Sequence, residues 1–474
     1  MPPQASSSPS SATRSERPVE LRRFTLASFA GLLAVLALSL GFTSAAAAKP
    51  KGLKPPSAVK VSRLTATTAR VAWKDRSAER FFEVVAKPGA RPAKAKRNTR
   101  SSEIAGLQPA TKYKFKVRAC TSKRKCSKFS KARRATTNAI PSTAPPFGFN
   151  DQLVIGDPGN GLLRSSGADF IRVPVAWSQM QPIAPPLGLP LLPPLPLQLN
   201  WGPMDAIAGE LDRLGLKPLW VVSSAPCWAQ NKGSNCPDEL GTAPKAAFYD
   251  DYANFVLRIA QRYPGSIGIQ VWNEPNIPKF WEPLPDSAEY RSLLRKTAKL
   301  VSDFGAKVPI VYGAPSPVTA ADAKKDPTKI ATTTFLKETL QGGVQGLDAV
   351  AVHPYSFNQP GDQTENSIRL FDQAAAVLKS VVPALPVWVT EIGFTTAGDF
   401  KVSPAQQAAS LAALYEALVA RGVKLISVHR FFDDASPPFK FEGGMGVVRS
   451  DRRTVKPAYC SLAVVRGNSP APCD

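Results

Sequence analysis

Two spacings of hydrophobic residues divide the chain. Between residues 56 and 137 apolar and polar positions alternate, as in Val59-Lys60-Val61, Ala69-Arg70-Val71-Ala72-Trp73 and Tyr113-Lys114-Phe115-Lys116-Val117-Arg118. A period of two marks strands with one buried face. Phe81, Phe82, Val84 and Val85 add a further apolar cluster, and residues 106–113 supply a turn leading into a strand. This stretch predicts an all-β sandwich. From residue 147 the rhythm changes. Short apolar runs at 147–150, 170–175, 218–223, 267–272, 309–313, 349–353, 386–390 and 425–431 number eight. Helical patterns separate most of them, at 201–214, 246–262, 287–304, 332–340, 365–382 and 404–421. Eight alternating strand–helix units predict an α/β fold, a closed (β/α)8 (TIM) barrel over residues 147–466. In such a barrel the chemistry sits just beyond the C-terminal ends of the strands.

Composition agrees with a globular chain: 43% of the 474 residues are hydrophobic and 20% charged. That excludes a wholly disordered or coiled-coil protein. The net charge of +24 is uneven. Residues 51–136 hold 25 Lys/Arg against four Asp/Glu, whereas residues 137–474 hold 30 of each. The barrel region is therefore neutral, and a basic module precedes it. A Pro/Ser/Thr linker at 138–146 joins the two.

The first 48 residues read as an export signal. Arg22-Arg23 precedes an apolar run to Phe42 and then the small residues Thr43 to Ala48. This is a signal peptide or a retained signal anchor. Either places the remainder outside the cytoplasm, secreted or associated with the cell envelope. The six cysteines fall in local pairs there, Cys120 with Cys126, Cys227 with Cys236 and Cys460 with Cys473, able to oxidise. No C-x2-C spacing occurs and the chain has two histidines, so no metal site is expected.

Residues 56–137 resemble a fibronectin type III domain. Trp73 stands where the second-strand Trp of that family is expected. Leu107, Pro109, Thr111 and Tyr113 match its L-x-P-x-T-x-Y corner. The resemblance gives Trp73 and Tyr113 core positions.

Two carboxylates stand at predicted strand ends. Val271-Trp272-Asn273-Glu274-Pro275-Asn276 closes the fourth barrel strand and Val389-Thr390-Glu391-Ile392-Gly393 the seventh. A carboxylate directly after a buried run is costly unless it is used or paired. Paired carboxylates are what acetal hydrolysis needs. Here residues 147–466 resemble the large clan A of retaining glycoside hydrolases, with features of families 39 and 5. The resemblance implies that Glu274, in Asn273-Glu274-Pro275, is the acid/base and Glu391 the nucleophile. It also implies that Asn273 binds the sugar 2-hydroxyl, that Tyr355 approaches Glu391, and that His353 meets the sugar or a neighbouring side chain. Arg172, at the end of the second strand, is the expected cationic partner of Glu391. Trp228 and Trp281 are candidates to stack on sugar faces, with packing as the alternative. Many clan members carry a Trp after the eighth strand. This chain has Val428-His429-Arg430-Phe431-Phe432 instead, with Phe431 or Phe432 the candidate replacements. The uncharged Pro/Leu-rich segment 182–200 follows the second strand and reads as a lid or a packed loop.

These observations predict an exported, monomeric retaining glycosidase that cleaves β-glycosidic bonds of a poly- or oligosaccharide without a cofactor. The alternative is a catalytically inactive carbohydrate- or envelope-binding protein on the same barrel. The basic module predicts attraction to an anionic cell-envelope polymer. No specific nucleic-acid partner is expected, because no interleaved aromatic reader accompanies the charge.

Overall fold

The computed structural model describes residues 52–139, 144–184, 199–230, 241–436 and 440–468, apart from 65, 91, 106, 358 and 360, together with 473. The expected export segment, Cys236 and residues 185–198 of the Pro/Leu-rich segment lie outside the described residues.

The N-terminal strands are β1 (Ser57–Ser62), β2 (Thr68–Lys74), β3 (Phe81–Lys87), β4 (Ala93–Lys96), β5 (Ser101–Ala105), β6 (Lys112–Ser122), β7 (Lys125–Cys126) and β8 (Arg133–Thr136). They form two antiparallel sheets, β1-β2-β5 and β4-β3-β6-β7, with β8 added to β6. The alternation of the sequence becomes the inside and outside of the sandwich. Tyr113, Phe115 and Val117 of β6 are buried, and Lys112 and Lys114 are exposed. Trp73 packs on Phe82 with ring centres 5.0 Å apart. The Tyr113 hydroxyl accepts the Gln108 N–H at 2.8 Å, which ties the corner to the strand that follows it. Cys120 and Cys126 form a disulfide across the β6–β7 hairpin, and Cys460 and Cys473 form another near the C-terminus.

The barrel strands are β9 (Phe147–Asn150), β10 (Phe170–Ala176), β11 (Lys217–Ser223), β12 (Gly268–Val271), β13 (Ile310–Tyr312), β14 (Ala349–Val352), β15 (Val387–Ile392) and β16 (Leu425–His429). All pairs are parallel, and β16 closes on β9. Among the described residues ten α-helices surround or cap them: α1 (Gly161–Ser165), α2 (Trp177–Met180), α3 (Gly202–Leu214), α4 (Tyr249–Arg262), α5 (Ser287–Asp303), α6 (Ala320–Lys325), α7 (Thr332–Leu340), α8 (Gln363–Val381), α9 (Pro404–Ala420) and α10 (Pro457–Val465). None among the described residues is long and apolar enough to cross a membrane.

The barrel interior is layered. Residues two apart on a strand share a face. Phe170, Leu219, Val311, Ala349, Trp388 and Leu425 form one buried apolar cluster. Two positions further along their strands stand Arg172, Thr390 and Ser427, all buried, and Gln270 joins them on β12. An apolar plug thus fills the barrel below, and a polar layer rests on it at the C-terminal end. The sandwich touches the rim of the same barrel. Arg63 donates to Asp362, the N-cap of α8, at 2.7 Å, and also pairs with Glu365.

Candidate active site

Two local distortions aim the carboxylates. On β15 the register against β16 steps from Val389↔Ile426 to Ile392↔Val428, so β15 carries one extra residue. A bulge of this kind lets neighbouring side chains serve the same face. Thr390 contacts His353, and the adjacent Glu391 contacts Arg172 and Tyr355. After β12 the backbone turns through positive φ at Trp272 (72°) and Glu274 (46°). That region costs an L-residue about 1–2 kcal/mol. Packing and hydrogen bonds hold it: Trp272 is fully buried, its N–H donates to the Val222 carbonyl at 3.0 Å, and the Glu274 N–H donates to Ala314 at 2.9 Å. Gly313 makes room for the turn. A Cβ there would lie 2.4 Å from the Val271 carbonyl and 3.0 Å from that of Trp272. Asn276 ties the same loop to the next one, accepting from Ser316 N–H at 2.7 Å and donating to the carbonyls of Ser316 and Ile330 at 3.0 Å each.

The two carboxylates converge. One oxygen of Glu274, one ring nitrogen of His353 and one oxygen of Glu391 all lie within 4.8 Å of one another. Both Glu residues retain 9% exposure, so the pair is nearly buried yet reached by solvent. Arg172 donates Nη1 to Glu391 Oε1 at 2.5 Å, Nη2 to Asn273 Oδ1 at 2.7 Å and Nε to Gln270 Oε1 at 3.0 Å. The Tyr355 hydroxyl donates to Glu391 Oε2 at 2.9 Å. His353 places Nδ1 2.9 Å from Glu274 Oε1 and Nε2 3.0 Å from Thr390 Oγ1.

The surroundings of Glu391 keep it ionised. Burial works to raise the Glu391 carboxyl, but His353, Arg172 and His429, with the Tyr355 hydroxyl, outweigh it and hold it at about 2. Burial pushes His429 down to about 4, so at neutral pH that imidazole is uncharged. The guanidinium of Arg172 is then the permanent cation on Glu391. Two carboxylates and an imidazole also form a donor set for a divalent cation, but this bound guanidinium opposes a cation beside it. The only other such cluster among the described residues, Glu83 with Cys120 and Cys126, has its sulfurs tied in a disulfide.

Asn273, Arg172, His353 and Tyr355 thus gather with Glu274 and Glu391. Trp281, one of the two expected sugar-stacking tryptophans, does not. Trp281 is fully buried, with its ring edge-on to Trp272 and Tyr290. Neither face is open to a ligand. Trp228 is held by an Nε1 bond to the Gln181 carbonyl at 3.0 Å and by edge contacts to Trp177 and Phe248, a packing role. Phe431 and Phe432 are also inside. Their N–H groups donate to the buried Asp151, so they do not form the floor expected of them. Beside the expected Tyr355 lies an aromatic cluster that sequence reasoning missed. Tyr355 stacks on Phe357 at 4.9 Å, and Phe357 leans on Phe400 and Phe441. Gln270 and Thr390, which anchor Arg172 and His353, were also missed. Their signal was a polar residue inside an apolar strand run.

Residues 54–134 match the family model of the fibronectin type III domain, so the sandwich is such a domain. A search of curated proteins gave no match. Among solved structures, the chain is similar to a family 39 glycoside hydrolase from the gut symbiont Bacteroides cellulosilyticus. The TM-score is 0.50 at 17% identity, over 86% of this chain and 82% of that one. It is also similar to a family 5, subfamily 18 glycoside hydrolase from Streptomyces cattleya in complex with Manβ1-4GlcNAc. There the TM-score is 0.50 at 18% identity, over 68% of this chain and 79% of that one. The barrel has the fold of glycoside hydrolases.

Proposed function

We propose that this chain is an exported retaining glycosidase that cleaves β-glycosidic bonds of a poly- or oligosaccharide. The observation that carries the reading is the approach of Glu274 and Glu391 oxygens to within 4.8 Å at the C-terminal mouth of the barrel. Double displacement works with carboxyl groups about 5–5.5 Å apart, whereas inversion needs about 6.5–9.5 Å to admit a water.

Glu391, ionised beside Arg172, attacks the anomeric carbon. The bond to the leaving oxygen breaks as Glu274 gives that oxygen its proton, and a glycosyl ester forms on Glu391. Water then attacks the same carbon, passes a proton to Glu274 and returns Glu391 as carboxylate. One water is consumed and the anomeric configuration is retained. Asn273 has its amide oxygen occupied by Arg172. Its NH2 group therefore remains as the donor to a sugar 2-hydroxyl. The His353 ring steadies Glu274, and Tyr355 steadies the second oxygen of Glu391.

The disulfides Cys120–Cys126 and Cys460–Cys473 suit an oxidising compartment, in keeping with the export reading of residues 1–48. The basic fibronectin type III domain would hold the enzyme near an anionic envelope polymer.

The test is hydrolysis of a broad panel of aryl β-glycosides, with the anomer of the first product followed by NMR. Wild type should release the β-anomer first, and Glu391→Ala should lose at least about a thousandfold in kcat. Glu274→Ala should lose far less on substrates with activated leaving groups than on poor ones. No turnover by wild type on any member would favour a binding protein on this barrel, and inversion would overturn the mechanism.

A further inference from the structure

The outer face of the β3–β6–β8 sheet carries a groove of about 690 Å³ whose polar lining is entirely cationic: Lys87, Lys112, Lys114, Lys116 and Arg134. Phe129 supplies an apolar patch within it. The arrangement follows from register. Lys112, Lys114 and Lys116 alternate with the buried Tyr113, Phe115 and Val117, so all three point outward. They stand roughly 7 Å apart along the strand. Lys114 lies directly opposite Lys87 on one side and Arg134 on the other. Cations thus repeat about 5 Å apart across three strands as well.

Like charges placed opposite one another destabilise a sheet. The fold relieves this two residues beyond Lys116 on β6, where Arg118 donates to Glu83 at 2.6 Å and covers one face of the Phe129 ring at 4.6 Å. Among the described residues no acidic side chain lines the groove. The missing counter-charge must come from outside.

We propose that this groove binds a linear acidic polysaccharide, with carboxylates on the lysine array and a sugar face against Phe129. Four of the five cations are lysines, which act as point charges and suit carboxylates spaced along a chain. Phosphodiester recognition favours the bidentate fork of arginine. A flat strand face with one aromatic ring also lacks the stacking series used on single-stranded nucleic acid. The inference rests on the glycosidase reading only in linking this polymer to the barrel, and binding is measured apart from turnover.

The experiment titrates the full chain with polygalacturonate, with dextran and with a 20-base-pair DNA duplex at 50 mM salt. Wild type should bind polygalacturonate and ignore dextran. The double variant Lys114→Glu/Lys116→Glu should weaken that binding at least about tenfold, and Lys114→Gln/Lys116→Gln should weaken it in the same direction. Aryl glycoside hydrolysis, if present, should not change. A second double variant, Lys123→Glu/Arg124→Glu, makes the same charge change on the exposed β6–β7 turn. Equal weakening by both charge reversals would overturn the groove in favour of net charge alone. No binding of polygalacturonate, or tighter binding of the duplex, would overturn the ligand class. A thermal melt of each variant guards against misfolding, with the glutamine pair as the milder substitution.

Discussion

Nδ1 of His353 stands 2.9 Å from Oε1 of Glu274, while Nε2 of the same ring lies 3.7 Å from Oε1 of Glu391. One buried imidazole therefore spans both carboxylates, and Thr390 fixes its orientation from the bulge on β15. Substituting it should disturb the proton on Glu274 before it disturbs the fold. His353→Ala is expected to lower kcat roughly ten- to hundredfold on substrates with poor leaving groups, less than the ~10²–10⁴-fold a general acid itself supplies, because Glu274 stays in place. Activated leaving groups should be less affected. A leaving-group series measures this, and an equal loss across the series would show that His353 acts only by packing.

Arg172 acts with His353 to keep Glu391 ionised against its burial. In wild type, Glu391 held at about 2 contributes stability above its unfolded value near 4.5, and that contribution is lost as the pH falls through about 2. Arg172→Met removes the guanidinium and leaves a buried carboxylate with its burial penalty. Breaking one side of a buried pair costs about 3–5 kcal/mol. The acidic limb of kcat/KM should move to higher pH in the variant, and urea unfolding should give the stability loss. An unmoved acidic limb would show that His353 and Tyr355 suffice.

Glu103 sits where the sandwich meets the barrel rim, 3.9 Å from Arg70. Burial raises its carboxyl to about 7, against the pull of Arg70 and Arg63 and helped by Asp362. A raised value means that folding takes up a proton. The stabilisation is complete below about pH 4.5 and disappears as the pH rises through 7. At about 1.4 kcal/mol per pH unit the span from 4.5 to about 7 comes to roughly 3–4 kcal/mol. Glu103→Gln should match wild type near pH 4.5 and melt higher than wild type at pH 8.5. Parallel melting curves at both pH values would refute this.

Gly313 is the buttress for the strained Glu274 turn. A methyl group there meets two carbonyl oxygens and the Tyr290 hydroxyl at 3.0 Å or less. Gly313→Ala should cost about 1–3 kcal/mol, the usual penalty of overpacking. It should also reduce kcat, because the displaced backbone belongs to residues 271 and 272. Differential scanning calorimetry and initial rates read the two effects, and unchanged kcat in a destabilised variant would separate the turn from the chemistry.

Much of this molecule is legible in one dimension. Alternation at Tyr113 to Arg118 and continuous apolar runs such as 349–353 report which faces are buried, because strand period and burial are local properties. The same runs mark where strands end, and so placed Glu274 and Glu391 at one mouth. The runs were drawn a residue or two long or short. The run at 386–390 stops before Glu391, whereas β15 extends to Ile392 because a bulge absorbs one residue.

The order of strands and helices, the basic sandwich ahead of a neutral barrel, and two carboxylates at strand ends all follow from local patterns in the chain. Which side chains meet is fixed by how the chain packs in three dimensions. Barrel closure sets the angle of each strand around the axis, and no local pattern encodes that angle. It brings Arg172 of β10 to Glu391 of β15 and Gln270 of β12, and it puts His353 between the acids. The same closure buried Trp281, whose local sequence looks no different from that of an exposed ring. Hydrophobicity tells a chain what to hide, and three-dimensional packing alone tells it what to hide it against.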